Sequence, residues 1–342
     1  MTPPTPKTAL VLGASGGFGN AVSRALLAHG WRVRALSRRT AAAAAAAADG
    51  IEWLRGDAMN SVDVTAAAVG CGVIVHAANP PRYRGWARQV PAMLESAIAA
   101  ARASGARLMV PASIYPFDPA RTPVISETTP PSPVSGKGRI RAESENRLHT
   151  AADEGVKVLI VRSGDYFGPP PVNGWLAAAM VKPGKPVRSV TYPARHDVGH
   201  TWAYLPDLGE TVARLLEQEE RLQPFEVFNF AGHGLARGVE MAEAIGRATG
   251  DPAMPIRGFP WFAVRAIAPF SETLRGLLEM RYLWRRPLTL DNGKLVAFLG
   301  AEPRTPLDEA VRTTLQGLGC LQPLGVQSQA ELSSALVGGR GR

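Results

Sequence analysis

Cysteine is almost absent: Cys71 and Cys320 are the only thiols in 342 residues, so neither a disulfide framework nor a cysteine-rich zinc site can be built. Long apolar runs are lacking as well. Hydrophobic residues make up 46% of the chain, yet none of their stretches approaches the roughly 20 residues that a bilayer-crossing helix needs. Prolines at positions 3, 4 and 6 stand where a secretory signal would carry its apolar segment. A cytoplasmic protein with no integral membrane part is expected. Lysine is scarce too: of 38 basic residues only six are lysine (7, 137, 157, 182, 185 and 294), and the arginines are dispersed rather than massed. The net charge of +9 therefore reads as an arginine-rich composition beside an alanine run at 41–48, and no nucleic-acid partner is expected.

What the sequence does have is alternation. Apolar strand candidates at 8–15, 32–39, 51–56, 72–78, 107–112 and 157–162 alternate with helix-like runs at 17–29, 86–104 and 138–153. This order predicts an α/β fold, a Rossmann doubly wound parallel sheet. The alanine run reads as an exposed short helix, and the seven prolines between Pro111 and Pro133 as an ordered loop. Pro169, Pro170 and Pro171 mark a change of regime. The expected organisation is a dinucleotide-binding domain at 7–165 and a smaller C-terminal substrate-binding lobe at 166–324. That lobe partly returns to the sheet through a helix at 208–222 and a strand at 225–231, and a flexible tail follows at 325–342.

Gly13, Gly16 and Gly19 stand between the first strand and the first helix, separated by Ala14 and Ser15 and then by Gly17 and Phe18. At that place Gly13 permits a tight turn, Gly16 lets backbone approach a pyrophosphate, and Gly19 lets helix and sheet pack closely. The helix N-terminus offers unpaired N–H groups to phosphates. An NAD-selective site carries a carboxylate at the end of the second strand. Here that end reads Ser37-Arg38-Arg39, which suits a 2′-phosphate. NADP is the expected cofactor, with NAD the alternative and a solvated basic strand end the plainer reading.

With these residues the sequence resembles the extended short-chain dehydrogenase/reductase superfamily, which includes NAD-dependent epimerases and dehydratases. Further matches fall in order: Gly56-Asp57, where the family holds adenine; His76-Ala77-Ala78, with Asn79 following; Ser113 ending the fifth strand; Arg162 through Gly168-Pro169; and Tyr204-Leu205-Pro206-Asp207. The resemblance covers residues 7–310 and implies cofactor contacts at Gly56, Asp57, Ala77, Ala78, Asn79 and Lys137. It also implies that Ser113 hydrogen-bonds a substrate oxygen.

The family's Tyr-x-x-x-Lys dyad is missing. Its positions hold Lys137 and Arg141, and no tyrosine lies between Tyr115 and Tyr166. Lys137-Gly138-Arg139-Ile140-Arg141 through Glu145 is similar to the helix of the isoflavone and pinoresinol reductase group, where a lysine is the acid/base. Lys137 and Arg141 are i,i+4 neighbours, and a nearby guanidinium lowers an amine's pKa. The competing reading is a solvated lysine in a first helical turn. Tyr115 and Tyr166 are candidate proton donors or plain core tyrosines, and His76 reads as a buried, satisfied imidazole. His196 and His200 have metal-ligand spacing, but Pro193 and Gly199 oppose a helix there, and no metal is expected.

The aromatic and basic segment 261–286 is expected to wall a substrate pocket or make a homodimer contact, since Pro269 interrupts it as a membrane-surface helix. The leading expectation is an NADP-dependent oxidoreductase acting on a small organic carbonyl, alcohol or activated alkene, apolar or aromatic in character. Ser113, Lys137 and Arg141 would sit at its reacting oxygen. The alternatives are a sugar-nucleotide epimerase or dehydratase, and a non-catalytic NADP-binding regulator or assembly factor.

Overall fold

The computed structural model describes residues 7–39, 50–80, 85–169 and 174–321. The alanine run, residues 170–173 and the tail 325–342 lie outside them.

The elements run in chain order as β1 (Thr8–Leu12), α1 (Gly17–Ala28), β2 (Arg32–Ser37), β3 (Ile51–Arg55), α2 (Ser61–Ala68), β4 (Val73–His76), α3 (Trp86–Ser104) and β5 (Arg107–Ser113). Then come β6 (Val124–Ile125), α4 (Gly136–Asp153), β7 (Val158–Ser163), β8 (Asp165–Phe167), β9 (Val190–Tyr192) and β10 (His200–Tyr204). The rest are α5 (Leu205–Glu217), β11 (Phe225–Asn229), β12 (His233–Leu235), α6 (Glu240–Thr249), β13 (Ile256–Gly258), α7 (Trp261–Ile267), α8 (Glu272–Glu279), β14 (Thr289–Leu290), α9 (Gly293–Leu299) and α10 (Leu307–Gly317).

Seven strands form the central sheet in the order β11-β7-β5-β4-β1-β2-β3, all parallel. Helices cover both faces, which is why β4 (Val73, Ile74, Val75, His76) and β7 are buried along their whole length. On one face α1 and α5 pack through Val22, Leu26, Leu208, Val212 and Leu215. On the other, α2, α3 and α4 pack through Val64, Leu94, Ile98 and Leu148. Strand order reverses at β1, whose neighbours are β2 and β4, and a doubly wound sheet binds ligands in the crevice at such a point.

Three of the element ends that depart from the sequence expectation have a plain cause. β1 stops at Leu12 because Gly13 turns the chain with φ 90°. β5 runs through Pro111 to Ser113: its pairing with β4 ends at Met109, so the missing proline N–H falls where the ladder with β4 has stopped. α5 begins at Leu205 rather than Leu208, since Pro206 sits in the first turn, where its missing N–H costs nothing.

The later chain builds a second core from Phe167, Trp175, Tyr192, Trp202, Met241, Ile245, Trp284 and Leu315. β11 returns to the main sheet as its edge strand.

Candidate active site

The crevice between β1 and β4 widens into a cleft of about 560 Å³. At one end lies the glycine loop. A Cβ at Gly13 would come within 2.8 Å of the Ala77 carbonyl, and one at Gly19 within 2.3 Å of the Gly13 oxygen. Backbone meets backbone there, and only glycine fits. Gly16 is the N-cap of α1, with no side-chain cap and no acidic residue in the first turn. The positive end of the helix is left open to the cleft, which Ser15, Gly16, Gly17 and Phe18 line. This cradle fits a pyrophosphate.

Further along, Ser37 and Arg38 line the cleft from the end of β2, with Gly56 and Asp57 beside them at the end of β3, where the Gly56 N–H donates to the Ser37 carbonyl at 3.1 Å. Arg39 is exposed and outside the lining; its backbone N–H donates to Ser37 Oγ at 3.1 Å. Asp57 is fixed by its own N–H, which donates to Asp63 Oδ2 at 2.9 Å.

Ala77, Ala78 and Asn79 lead from the cradle to the far end, where Ser113, Tyr115, Arg141 and Tyr166 converge. The Arg141 guanidinium donates to Asn79 Oδ1 at 3.2 Å and lies 4.9 Å from the centre of the Trp86 ring. The Tyr166 ring stacks on Phe18 with centroids 6.1 Å apart, and its hydroxyl accepts a hydrogen bond from Ser163 Oγ. Burial raises the Tyr166 phenol above its ordinary pKa, so it remains a proton donor at neutral pH. The backbone carbonyl of Tyr115 accepts the Tyr282 hydroxyl at 2.7 Å.

Lys137 departs from expectation. Its side chain does not line this cleft but an adjoining hollow between α3, α4 and α8. There its N–H donates to Glu279 Oε1 at 2.9 Å and its Nζ to Glu279 Oε2 at 2.5 Å. Burial pushes the Glu279 carboxyl up, but the hydrogen bonds and charge of Lys137 prevail and hold it below the usual carboxylate range. Lys137 and Arg141 share a helix yet leave it toward different cavities.

His76 also corrects the sequence reading. It is buried and lines the cleft, and its Nδ1 has no partner among the described protein groups. Burial first, and the Arg141 charge second, lower its pKa to about 4 and keep it neutral. His196 lies in a loop and His200 in β10, with no helix to align them. Among the described residues no three His, Cys, Asp or Glu side chains gather as metal ligands.

Sequence reasoning missed one pair. Asp165 opens β8 and lines the cleft, and its Oδ2 lies 2.8 Å from Nε2 of His200, which is itself stacked 3.8 Å from the Trp284 ring. Parallel pairing of β8 with β10 brings these two elements together. Both side chains are buried, and Asp165 is the carboxylate at the far end of the cleft.

Comparison with known proteins agrees with this fold. The NAD dependent epimerase/dehydratase family matches residues 9–231. The chain belongs to that family. Among solved structures, the Thermus thermophilus UDP-glucose 4-epimerase, in complex with NAD, is 21% identical with a TM-score of 0.68, covering 91% of this chain and 98% of that one. A putative epimerase from Burkholderia cenocepacia is 18% identical with a TM-score of 0.69, covering 92% and 99%. The Bacillus cereus UDP-N-acetylglucosamine 4-epimerase is 14% identical with a TM-score of 0.66, covering 94% and 100%. No curated protein sequence matches significantly. At these identities the likeness shows the epimerase/dehydratase fold. No described helix of this family member is long and apolar enough to cross a membrane.

Proposed function

We propose that this family member is a nicotinamide-dinucleotide-dependent enzyme acting at an oxygen-bearing carbon of a small organic substrate, with NADP preferred. The observation that carries the proposal is the continuous cleft joining an uncapped helix N-terminus and glycine cradle to a cluster of Ser113, Tyr115, Arg141, Asp165 and Tyr166. When bound, the cofactor supplies hydride exchange; the protein supplies binding, orientation and proton handling.

The Gly13–Gly19 loop would hold the pyrophosphate, Ser37 and Arg38 with nearby Arg39 the 2′-phosphate, and Gly56 and Asp57 the adenine. Ala77, Ala78 and Asn79 would border the nicotinamide end. Ser113 Oγ donates to the substrate oxygen, and the Arg141 guanidinium, steadied by Asn79 and Trp86, stabilises negative charge on it. Proton transfer falls to Asp165, whose carboxylate His200 orients, with Tyr166 as a neutral donor. Lys137, paired with Glu279, acts outside the cleft and positions α8.

A second reading, a sugar-nucleotide epimerase or dehydratase, is favoured by the family match and by the two nucleotide-sugar epimerases among the structural neighbours more directly than net oxidation is. Both readings need the same cleft. Incubating the protein with oxidised NADP and alcohols or nucleotide sugars, and with NADPH and ketones, separates them. Net formation or loss of reduced nicotinamide supports the oxidoreductase, whereas a converted sugar with unchanged cofactor supports the second reading. Binding of cofactor with no product from any substrate would favour a non-catalytic regulator. For the active enzyme, Asp165→Asn is expected to lower kcat by about 10²-fold or more while cofactor affinity stays within about twofold. An unchanged kcat would remove Asp165 from the mechanism.

A further inference from the structure

The segment Trp261–Trp284 has two sides. Inward, Trp261 and Trp284 pack on Trp175, a residue of the cleft wall, with ring centroids 6.1 and 4.9 Å apart. Outward, Phe262, Ile267 and Phe270 are 82%, 54% and 89% exposed. Single exposed apolar residues are ordinary on any surface, but three within nine residues of one helical stretch form a patch. Phe262 and Ala266 lie about one turn apart on α7, which ends at Ile267, and Pro269 and Phe270 continue the exposed run in the turn that follows.

Arginines stand along this segment: Arg265 and Arg285 are exposed, the Arg275 guanidinium donates to the Pro269 carbonyl at 2.8 Å, and the Arg281 guanidinium lies 5.0 Å from the centre of the Trp261 ring. Residues 257–286 hold six arginines (257, 265, 275, 281, 285 and 286) against two acids, Glu272 and Glu279. Both acids are engaged with the body of the protein: Glu272 Oε1 accepts the Gly85 N–H at 3.2 Å, and Glu279 holds Lys137. The outer face is thus at once apolar and cationic.

We propose that this face docks on an anionic phospholipid surface. Phe262, Ile267 and Phe270 enter the boundary between headgroups and acyl chains, while Arg265, Arg281 and Arg285 meet the phosphates. A second copy of the chain is the poorer occupant, since a two-fold contact would set the arginine cluster against itself. Pro269 ends α7 early, so the device is two projecting rings on a short helical stretch rather than one long amphipathic helix. With Trp261 against the cleft wall, docking brings the substrate end of the cleft near the lipid. The inference does not depend on which reaction the cleft performs.

Co-sedimentation of the full chain with vesicles tests it, using phosphatidylcholine alone and phosphatidylcholine mixed with phosphatidylglycerol. The expected result is partition onto the anionic vesicles, weakened by salt. The double variant Phe262→Ser/Phe270→Ser and the double variant Arg265→Gln/Arg285→Gln should each reduce it by about tenfold or more. All four positions are exposed, and melting curves matching the parent establish that the variants fold. The proposal is overturned if neither vesicle binds the parent, if both vesicles and all variants bind equally, or if the patch instead supports a dimer that the phenylalanine variant abolishes without any lipid binding.

Discussion

Lys137 and Arg141 lie one helical turn apart, and that spacing is plain in the sequence; where their side chains go is not. Lys137 meets Glu279, 142 residues away, and Asp165 meets His200, 35 residues away. Neither separation follows a helical or strand period, so no local pattern points to either pair. The Lys137 ion pair makes a structural rather than a chemical prediction. Lys137→Met leaves Glu279 partly buried without its cation, and should lower stability by about 1–3 kcal/mol in denaturant unfolding while cofactor affinity is unchanged. Loss of cofactor binding without loss of stability would return the lysine to the cleft. His76 carries a pH signature. Its pKa is lowered from 6.5 to about 4 in the folded protein, so the unfolded chain binds the extra proton between these values. This residue's contribution to stability is therefore present above pH 6.5 and lost as pH falls toward 4. Thermal melts of the parent and His76→Asn over that range should converge at low pH, and parallel curves would count against the assignment.

At the scale of elements, the glycine loop and the parallel strands were legible because their causes are local. Gly13, Gly16 and Gly19 each answer a backbone need, and doubly covered strands read as short apolar runs. The end of β5 was not legible, because Pro111 is tolerated only where β4 has stopped, a tertiary fact. Gly16 offers a clean test of the cradle. A Cβ there meets only the Gly13 oxygen, at 3.3 Å, and an aspartate at an N-cap accepts the helix N–H groups that a pyrophosphate needs. Gly16→Asp should change stability by less than about 1 kcal/mol and weaken dinucleotide binding by about 10²-fold, through lost donors and added repulsion. Unaltered binding would place the phosphates elsewhere. The α1–α5 contact has the opposite pH sense to His76. His29, the C-cap of α1, lies 3.0 Å from Glu210 and 2.8 Å from Glu217, both on α5. The Glu217 hydrogen bond most of all raises its pKa above 6.5, against a smaller lowering by burial. Its stabilisation is fully present below pH 6.5 and lost as pH rises through the raised value. His29→Gln should flatten this part of the melting profile, and an unchanged profile would refute the pairing.

Over the whole molecule, alternating strands and helices gave away the doubly wound sheet, and the strand order puts its switch point between β1 and β4, where the cleft lies. The later chain was harder to read because its core gathers Phe167, Tyr192, Trp202, Trp284 and Leu315 from short elements far apart in the sequence. Of the many arginines behind the net charge, Arg38 lines the cleft and six fall within 257–286. The central claim is that the cleft holds a nicotinamide dinucleotide through the glycine cradle and the end of β2. Calorimetric titration of the full chain with NADPH and with NADH, repeated on Arg38→Ala/Arg39→Ala, tests it most directly. The account predicts one site per chain, tighter for NADPH than for NADH, with the difference lost in the double variant; failure of both dinucleotides to bind the parent chain would contradict it.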